Sequence, residues 1–103
     1  ADYDLVRSGR VQMVDARKIQ EFGREKIDNA TWISPESLLE QGRLKSDLND
    51  TFARLNTSQP TVVYSDDIFG ASIVWFALEL MGYDASIYRW QDWQEHEDRS
   101  SVD

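Results

Sequence analysis

The chain has 103 residues, of which 41% are hydrophobic and 29% charged, a composition typical of one soluble globular domain. Its net charge of −8 argues against nucleic acid and anionic membranes as partners, because both bind clusters of Lys and Arg. The lack of cysteine excludes disulfides and thiol nucleophiles for this polypeptide, and the single histidine, His96, cannot form a metal site alone. We therefore expect no metal and no cofactor, and the composition fits both the cytoplasm and the periplasm.

Predicted strands and helices alternate along the whole chain. In order, the sequence predicts a helix over 3–8, a strand over 11–16, helical turns over 17–22, a strand over 31–34, helices over 35–41 and 47–56, a strand over 61–65, a helix over 71–81, a strand over 85–89 and an amphipathic tail from Trp90. This alternation predicts an α/β domain whose mainly parallel sheet is covered on both sides.

Several aromatic residues are expected to be structural. The segment over 71–81 is apolar on nearly all sides, so we expect a buried helix with Trp75 and Phe76 in the core. Trp90 and Trp93 are three residues apart on one face of the tail. They are expected either to pack on the sheet, which is the simpler interpretation, or to form a patch that faces a partner. His96 is expected to be solvent-exposed.

A polar loop lies between the predicted strand "TVVYS" and the apolar helix. Such loops often hold a nucleophile or an anion at the helix N-terminus. Three interpretations are open: a turn in which Asp66 or Asp67 caps the helix near Ala71, a contact for a cation or partner, and an unusual serine or aspartate nucleophile. The helix cap is the simplest of the three. The loop residues are Ser65, Asp66, Asp67, Ile68, Phe69 and Gly70.

The order of short motifs resembles the rhodanese-like domain over about residues 3–95. The resemblance rests on Asp15 and Arg17 in "VDAR" after the first strand, on "VVYS", on "MGY" at the end of the apolar helix and on "WQDW" near the end of the chain. The chain departs from the family at "EKIDNA", which keeps only the Ile and Ala of the usual segment, and it lacks a glycine pair before the last tryptophan.

The resemblance implies a fold and a site. It implies a central, mostly parallel five-stranded sheet flanked by helices on both faces. Residues 1–103 are then one rhodanese-like domain, either alone or as part of a larger or tandem protein. It also implies supporting roles for Asp15 and Arg17, since the aspartate at the strand end can accept backbone N–H bonds and the arginine can pair with a carboxylate. In active members, the loop after "VVY" holds a cysteine that takes sulfur from a donor such as thiosulfate, and Ser65 stands in that place here.

The loop chemistry leads to three hypotheses. The preferred one is a catalytically inactive domain that serves as a structural or protein-binding module, with a neighbouring rhodanese domain or another protein as partner. A serine oxygen forms no persulfide, and Asp66 and Asp67 oppose a bound anion by about 1 kcal/mol each. The second is a sulfurtransferase whose nucleophilic cysteine is replaced by Ser65 in this sequence. The third is a regulatory sensor that binds a ligand or partner through the loop or the tryptophans.

Overall fold

The predicted α/β architecture is confirmed in a computed structural model that describes residues 2–100. Residue 1 and residues 101–103, which the predicted domain includes, lie outside the described part. The elements are α1 (Tyr3–Arg7), β1 (Gln12–Asp15), α2 (Ile19–Arg24), β2 (Thr31–Trp32), a 3₁₀ helix (Pro35–Leu38), β3 (Leu39–Glu40), β4 (Arg43–Leu44), β5 (Thr61–Ser65), α3 (Ile68–Leu80), β6 (Ala85–Arg89) and α4 (Trp90–Ser100).

The central sheet has four strands in the order β2-β1-β5-β6, and every neighbouring pair is parallel. The prediction of five strands was therefore wrong in number, because the central sheet of the described residues has four. β3 and β4 form a separate antiparallel hairpin, because Gln41 and Gly42 take positive φ values of 53° and 78° that turn the chain back on itself. β5 lies between β1 and β6, and all five of its residues are buried.

Alternating side chains of the strands form a hydrophobic cluster on each face of the sheet. On one face, Val14 and Val63 pack with Val74 and Leu78 of α3. On the other face, the cluster contains side chains of β1, β5 and β6 together with α1 and the start of α4: Val6, Met13, Val62, Tyr64, Tyr88 and Trp90. Helices thus flank both faces, as expected, and the predicted packing of Trp90 against the sheet is confirmed.

The middle of the chain is less regular than predicted. The helix expected over 35–41 is a 3₁₀ helix that ends at Leu38, and the helix expected over 47–56 is a series of turns. Polar side chains explain the second difference: Asp47 accepts a hydrogen bond from the backbone of Asn49, which competes with a helical ladder. The spacing of Leu48, Phe52 and Leu55 nevertheless predicts the buried side chains correctly, since Leu48 and Phe52 belong to the core and Leu55 packs against it.

α3 begins at Ile68, three residues earlier than predicted, and one of its faces is exposed. Phe76 is 50% exposed, so the prediction that it lies in the core was wrong. Trp75 is half-buried, and its indole N–H donates to the Ala85 carbonyl at 2.9 Å.

The prediction that His96 is solvent-exposed was also wrong. Its ring is half-buried and stacks on Tyr3 with 4.3 Å between the ring centroids. None of the helices in residues 2–100 combines the length and the apolar character that a membrane crossing needs.

Candidate functional site

The predicted loop lies at the carboxyl end of β5, the edge of a parallel sheet where ligands of α/β proteins commonly bind. Only Asp66 and Asp67 separate the strand from α3, because Ile68, Phe69 and Gly70 already form the first turn of the helix. Of the six residues predicted to form the loop, only these two do so, since Ser65 ends the strand and the other three belong to the helix.

The side chains of the loop bind its own backbone. Asp67 N donates to the Ser65 hydroxyl oxygen at 3.1 Å, and Phe69 N donates to Asp67 Oδ1 at 3.0 Å. Asp67 is thus the N-cap of α3, which confirms the predicted cap. Two of the amides at this helix N-terminus, those of Asp67 and Phe69, are therefore bonded by oxygen atoms of the protein itself.

Ser65 is 5% exposed and lines two cavities. The first, of about 380 Å³, has both cationic and acidic side chains in its wall: Arg17, Lys18, Glu21, Glu36, Asp66 and Asp67. Arg17 is neutralised by Asp15, so the wall of this cavity holds four carboxylates and one remaining cation, Lys18. The second cavity, of about 190 Å³, includes Arg89, which is paired with Asp92 at 2.7 Å. The surroundings of Ser65 are therefore net acidic and repel anions.

The fold brings the 3₁₀ helix against the loop, and sequence reasoning missed this contact. A Cβ added to Gly70 would lie 3.1 Å from Cγ of Pro35, so glycine allows the two elements to approach closely. Lys18, Glu21 and Glu36 also line the cavity without having been predicted. The only signal was that these residues follow β1 and β2, whose carboxyl ends lie at the same edge of the sheet as Ser65.

Asp15 and Arg17 form a buried ion pair beside the loop. Arg17 Nη2 donates to Asp15 Oδ2 at 2.8 Å, and the side chains are 1% and 0% exposed. The guanidinium lies 3.8 Å from the ring centroid of Trp90 and 5.4 Å from that of Tyr64. Burial opposes the charge of Arg17, but Asp15 outweighs it and raises the Arg17 pKa above its usual value. These contacts direct the guanidinium into the core, where it stabilises the strand ends.

Few groups near Ser65 could act as a general base. The titratable side chains that accept protons in the two cavities are carboxylates, and His96 lies on α4 against Tyr3. No cluster of three or more metal-ligating side chains occurs within residues 2–100.

A larger cavity of about 620 Å³ shares no residue with the loop. The "EKIDNA" segment and Trp93 form part of its wall. Its wall mixes acidic and basic side chains and shows no chemistry that singles out a ligand.

Comparison with known proteins identifies the family. The family model described as "Rhodanese-like domain" matches residues 3–96. The chain belongs to the rhodanese-like family. Its fold is similar to that of SseA from Escherichia coli, a 3-mercaptopyruvate sulfotransferase with the rhodanese fold, with a TM-score of 0.72 and 22% sequence identity. This match covers 82% of the rhodanese-like chain but 35% of SseA, so the chain spans about a third of that enzyme's length. No curated protein matches the chain.

Proposed function

We propose that this rhodanese-like domain is catalytically inactive and serves as a structural or protein-binding module. The observation that supports this proposal most directly is the loop after β5, where Ser65 stands in the place of the family's cysteine in a chain without any thiol. A neighbouring rhodanese-like domain or another protein is the proposed partner.

Sulfur chemistry favours inactivity. In sulfur transfer from thiosulfate, a thiolate attacks the outer sulfur, an S–S bond forms and sulfite leaves. The thiolate is available because the thiol pKa of about 8.5 is easily lowered, whereas a serine hydroxyl is much less acidic and needs a general base. The Ser65 oxygen forms no persulfide, and it already accepts a hydrogen bond from the amide of Asp67. This position therefore lacks the nucleophilic sulfur, and two amides of the cradle are already bonded by side-chain oxygens.

The charges around the site favour the same conclusion. Thiosulfate and mercaptopyruvate are anions, and the wall of the 380 Å³ cavity carries four carboxylates, with Arg17 already bound to Asp15. The cap formed by Asp67 also supplies negative charge where the dipole of α3 would favour a bound anion. A donor anion therefore meets repulsion and a helix N-terminus whose Phe69 amide is already capped by Asp67.

The alternative is a sulfurtransferase whose nucleophilic cysteine is replaced by Ser65 in this sequence. The position of Ser65 favours this reading, since it is at the end of the central strand, beside a helix N-terminus and next to a cavity of about 380 Å³. A cysteine at the same position would be placed as a nucleophile. In that case, the domain of the natural protein is an enzyme.

Three proteins distinguish these functions: the chain as it stands, Ser65→Cys, and Ser65→Cys with Asp66→Asn and Asp67→Asn. Thiocyanate formation from thiosulfate and cyanide measures turnover, and intact-protein mass spectrometry detects a persulfide. We expect no activity without a thiol and no more than slow loading of Ser65→Cys. The matched control is Ser72→Cys, a thiol on the same helix away from the strand end. Turnover by the unchanged chain would overturn the proposal, and rapid turnover by Ser65→Cys would favour the alternative.

A further inference from the structure

One face of α3 carries apolar side chains at a regular spacing and points away from the sheet. Phe69, Ile73, Phe76 and Leu80 are four, three and four residues apart, so they lie within about 60° of one another around the helix. Phe69 is 78% exposed, Phe76 50% and Leu80 62%, while Ile73 is half-buried. We call these four residues the α3 stripe.

The α3 stripe is distinct from the core face of the same helix. Ala71, Val74, Ala77 and Leu78 are buried in the core. Ile73 packs against the edge of that core, whereas Phe69, Phe76 and Leu80 remain exposed. Four of the six large hydrophobic side chains that residues 2–100 leave exposed lie on α3, namely Ile68, Phe69, Phe76 and Leu80. Scattered exposed hydrophobics are ordinary, whereas three such side chains on one face of one helix form a small apolar strip that is available to a partner.

The spacing and the charges indicate the kind of partner. A repeat of four and three residues is the spacing of helices that pack side by side. α3 contains no Lys or Arg, and carboxylates lie at both ends of the α3 stripe: Asp66 and Asp67 before it, Glu79 and Asp84 at its end. We propose that the α3 stripe docks an amphipathic helix from another protein, with an apolar face flanked by Lys or Arg.

A second copy of this chain fits the surface less well. In an antiparallel α3 pair, Asp66 and Asp67 would face Glu79 of the other copy, and in a parallel pair the same acids would meet each other. The 13-residue helix is about 20 Å long and offers a strip about 10 Å wide, roughly 200 Å² against the ~800 Å² per partner of a stable dimer. Such an area fits a weak, reversible contact with a peptide-sized helix of opposite charge.

The proposal deepens the protein-binding role proposed above and rests on it, but it does not require the domain to be inactive. The α3 stripe begins at Phe69, one residue beyond the start of the helix that Asp67 caps. A helix docked on the stripe therefore lies beside the Ser65 loop. Loss of catalysis would leave this surface unchanged. A turnover measurement therefore tests the proposed inactivity, and a binding measurement tests the α3 stripe, each without depending on the other.

The test uses two synthetic helical peptides with the same leucine spacing, one flanked by lysines and one by glutamates. Calorimetric titration into the full chain should show binding of the lysine peptide and at least tenfold weaker binding of the glutamate peptide. Phe76→Ser with Leu80→Ser should weaken the lysine peptide at least tenfold. The matched control is Ile19→Ser on α2, which removes a side chain that is 48% exposed and should leave the affinity unchanged. Circular dichroism verifies that each variant is folded.

Three results would overturn the proposal. The first is no measurable binding of the lysine peptide, and the second is equal affinity for both peptides. The third is that the unchanged chain forms a dimer in analytical ultracentrifugation and the Phe76→Ser variant is a monomer. That result would identify a second copy of the chain as the partner of the α3 stripe. Thiocyanate turnover by the same samples would contradict the proposed inactivity alone, without bearing on the stripe.

Discussion

Replacing Arg17 by Met should destabilise the domain strongly, because it strands a buried carboxylate. Asp15 is 0% exposed and receives the side chain of Arg17 through contacts of 2.8, 3.1 and 3.2 Å. The backbone N–H of residue 17, at 2.9 Å, and the Tyr64 hydroxyl would still bond to it, but both groups are neutral. Breaking one partner of a buried ion pair costs about 3–5 kcal/mol. A domain of this size has a free energy of unfolding of about 5–15 kcal/mol, so the loss is a large fraction of the total.

Urea denaturation followed by tryptophan fluorescence and circular dichroism measures this loss. With a slope of about 1.5 kcal/mol per M, the midpoint should fall by about 2–3 M urea. Asp15→Ala should be similarly damaging, since it leaves the cation buried over Trp90. The double variant Asp15→Ala/Arg17→Met should lose less than the two single losses added together, because it removes both charges.

Arg89→Met is the matched control. Arg89 pairs with Asp92 at 2.7 Å, a distance like that of the buried pair, but its side chain is 68% exposed. Solvent screens this pair, so its removal should shift the midpoint little. If Arg17→Met shifted the midpoint no more than Arg89→Met, burial would not be what makes the Asp15–Arg17 pair important. A double variant that loses the full sum of the single effects would refute the coupling.

Three further predictions concern the core and the loop. Tyr88→Phe should stabilise the domain by about 1 kcal/mol in urea denaturation, since the buried hydroxyl has no hydrogen-bond partner among the described residues, whereas Tyr64→Phe should cost about 1–3 kcal/mol by leaving a buried amide unbonded. Burial, with nearby carboxylates, raises the pKa of Tyr88 to about 12. The contribution of the neutral Tyr88 hydroxyl to stability should therefore be fully present below pH 10 and be lost between pH 10 and 12, so the melting temperature should fall over that range. The fall should be less steep in Tyr88→Phe. Gly23→Ala in open space on α2 should raise the melting temperature, and Gly70→Ala should lower it because of Pro35, so a rise for both would contradict the close approach.

The two later strands of the sheet were predictable. The strand over 61–65 has the predicted bounds because a run of apolar and β-branched residues favours a strand buried in a parallel sheet. The strand over 85–89 also has the predicted bounds, although it lies at the edge of the sheet and is only partly buried. Between residues 35 and 60 the apolar spacing found the correct buried side chains but the wrong backbone. There the side chains of Asp47 and Asn56 bond nearby amides, an effect that hydrophobic spacing does not report.

The site was predictable only where it is continuous in sequence. Ser65, Asp66 and Asp67 follow one strand, and the preference of Asp for helix N-termini identified the cap. The opposing wall comes from Pro35 and Glu36, thirty residues earlier, and only the register of the sheet brings them to the loop. Which face of α3 is outside was not predictable either, since a helix that is apolar all round gives no direction for its core side.

The loop and the α3 stripe are both consistent with the proposed protein-binding role. A helix N-terminus needs hydrogen-bond acceptors and favours negative charge, which a bound anion supplies in a loop that cradles a ligand. Here Asp67 supplies both, so the start of α3 is capped without a ligand. The same helix displays Phe69, Phe76 and Leu80 to solvent on one face, where a partner can cover them. The proposed protein-binding role accounts for both features, because such a role needs a rigid α3 and does not need an anion at its N-terminus.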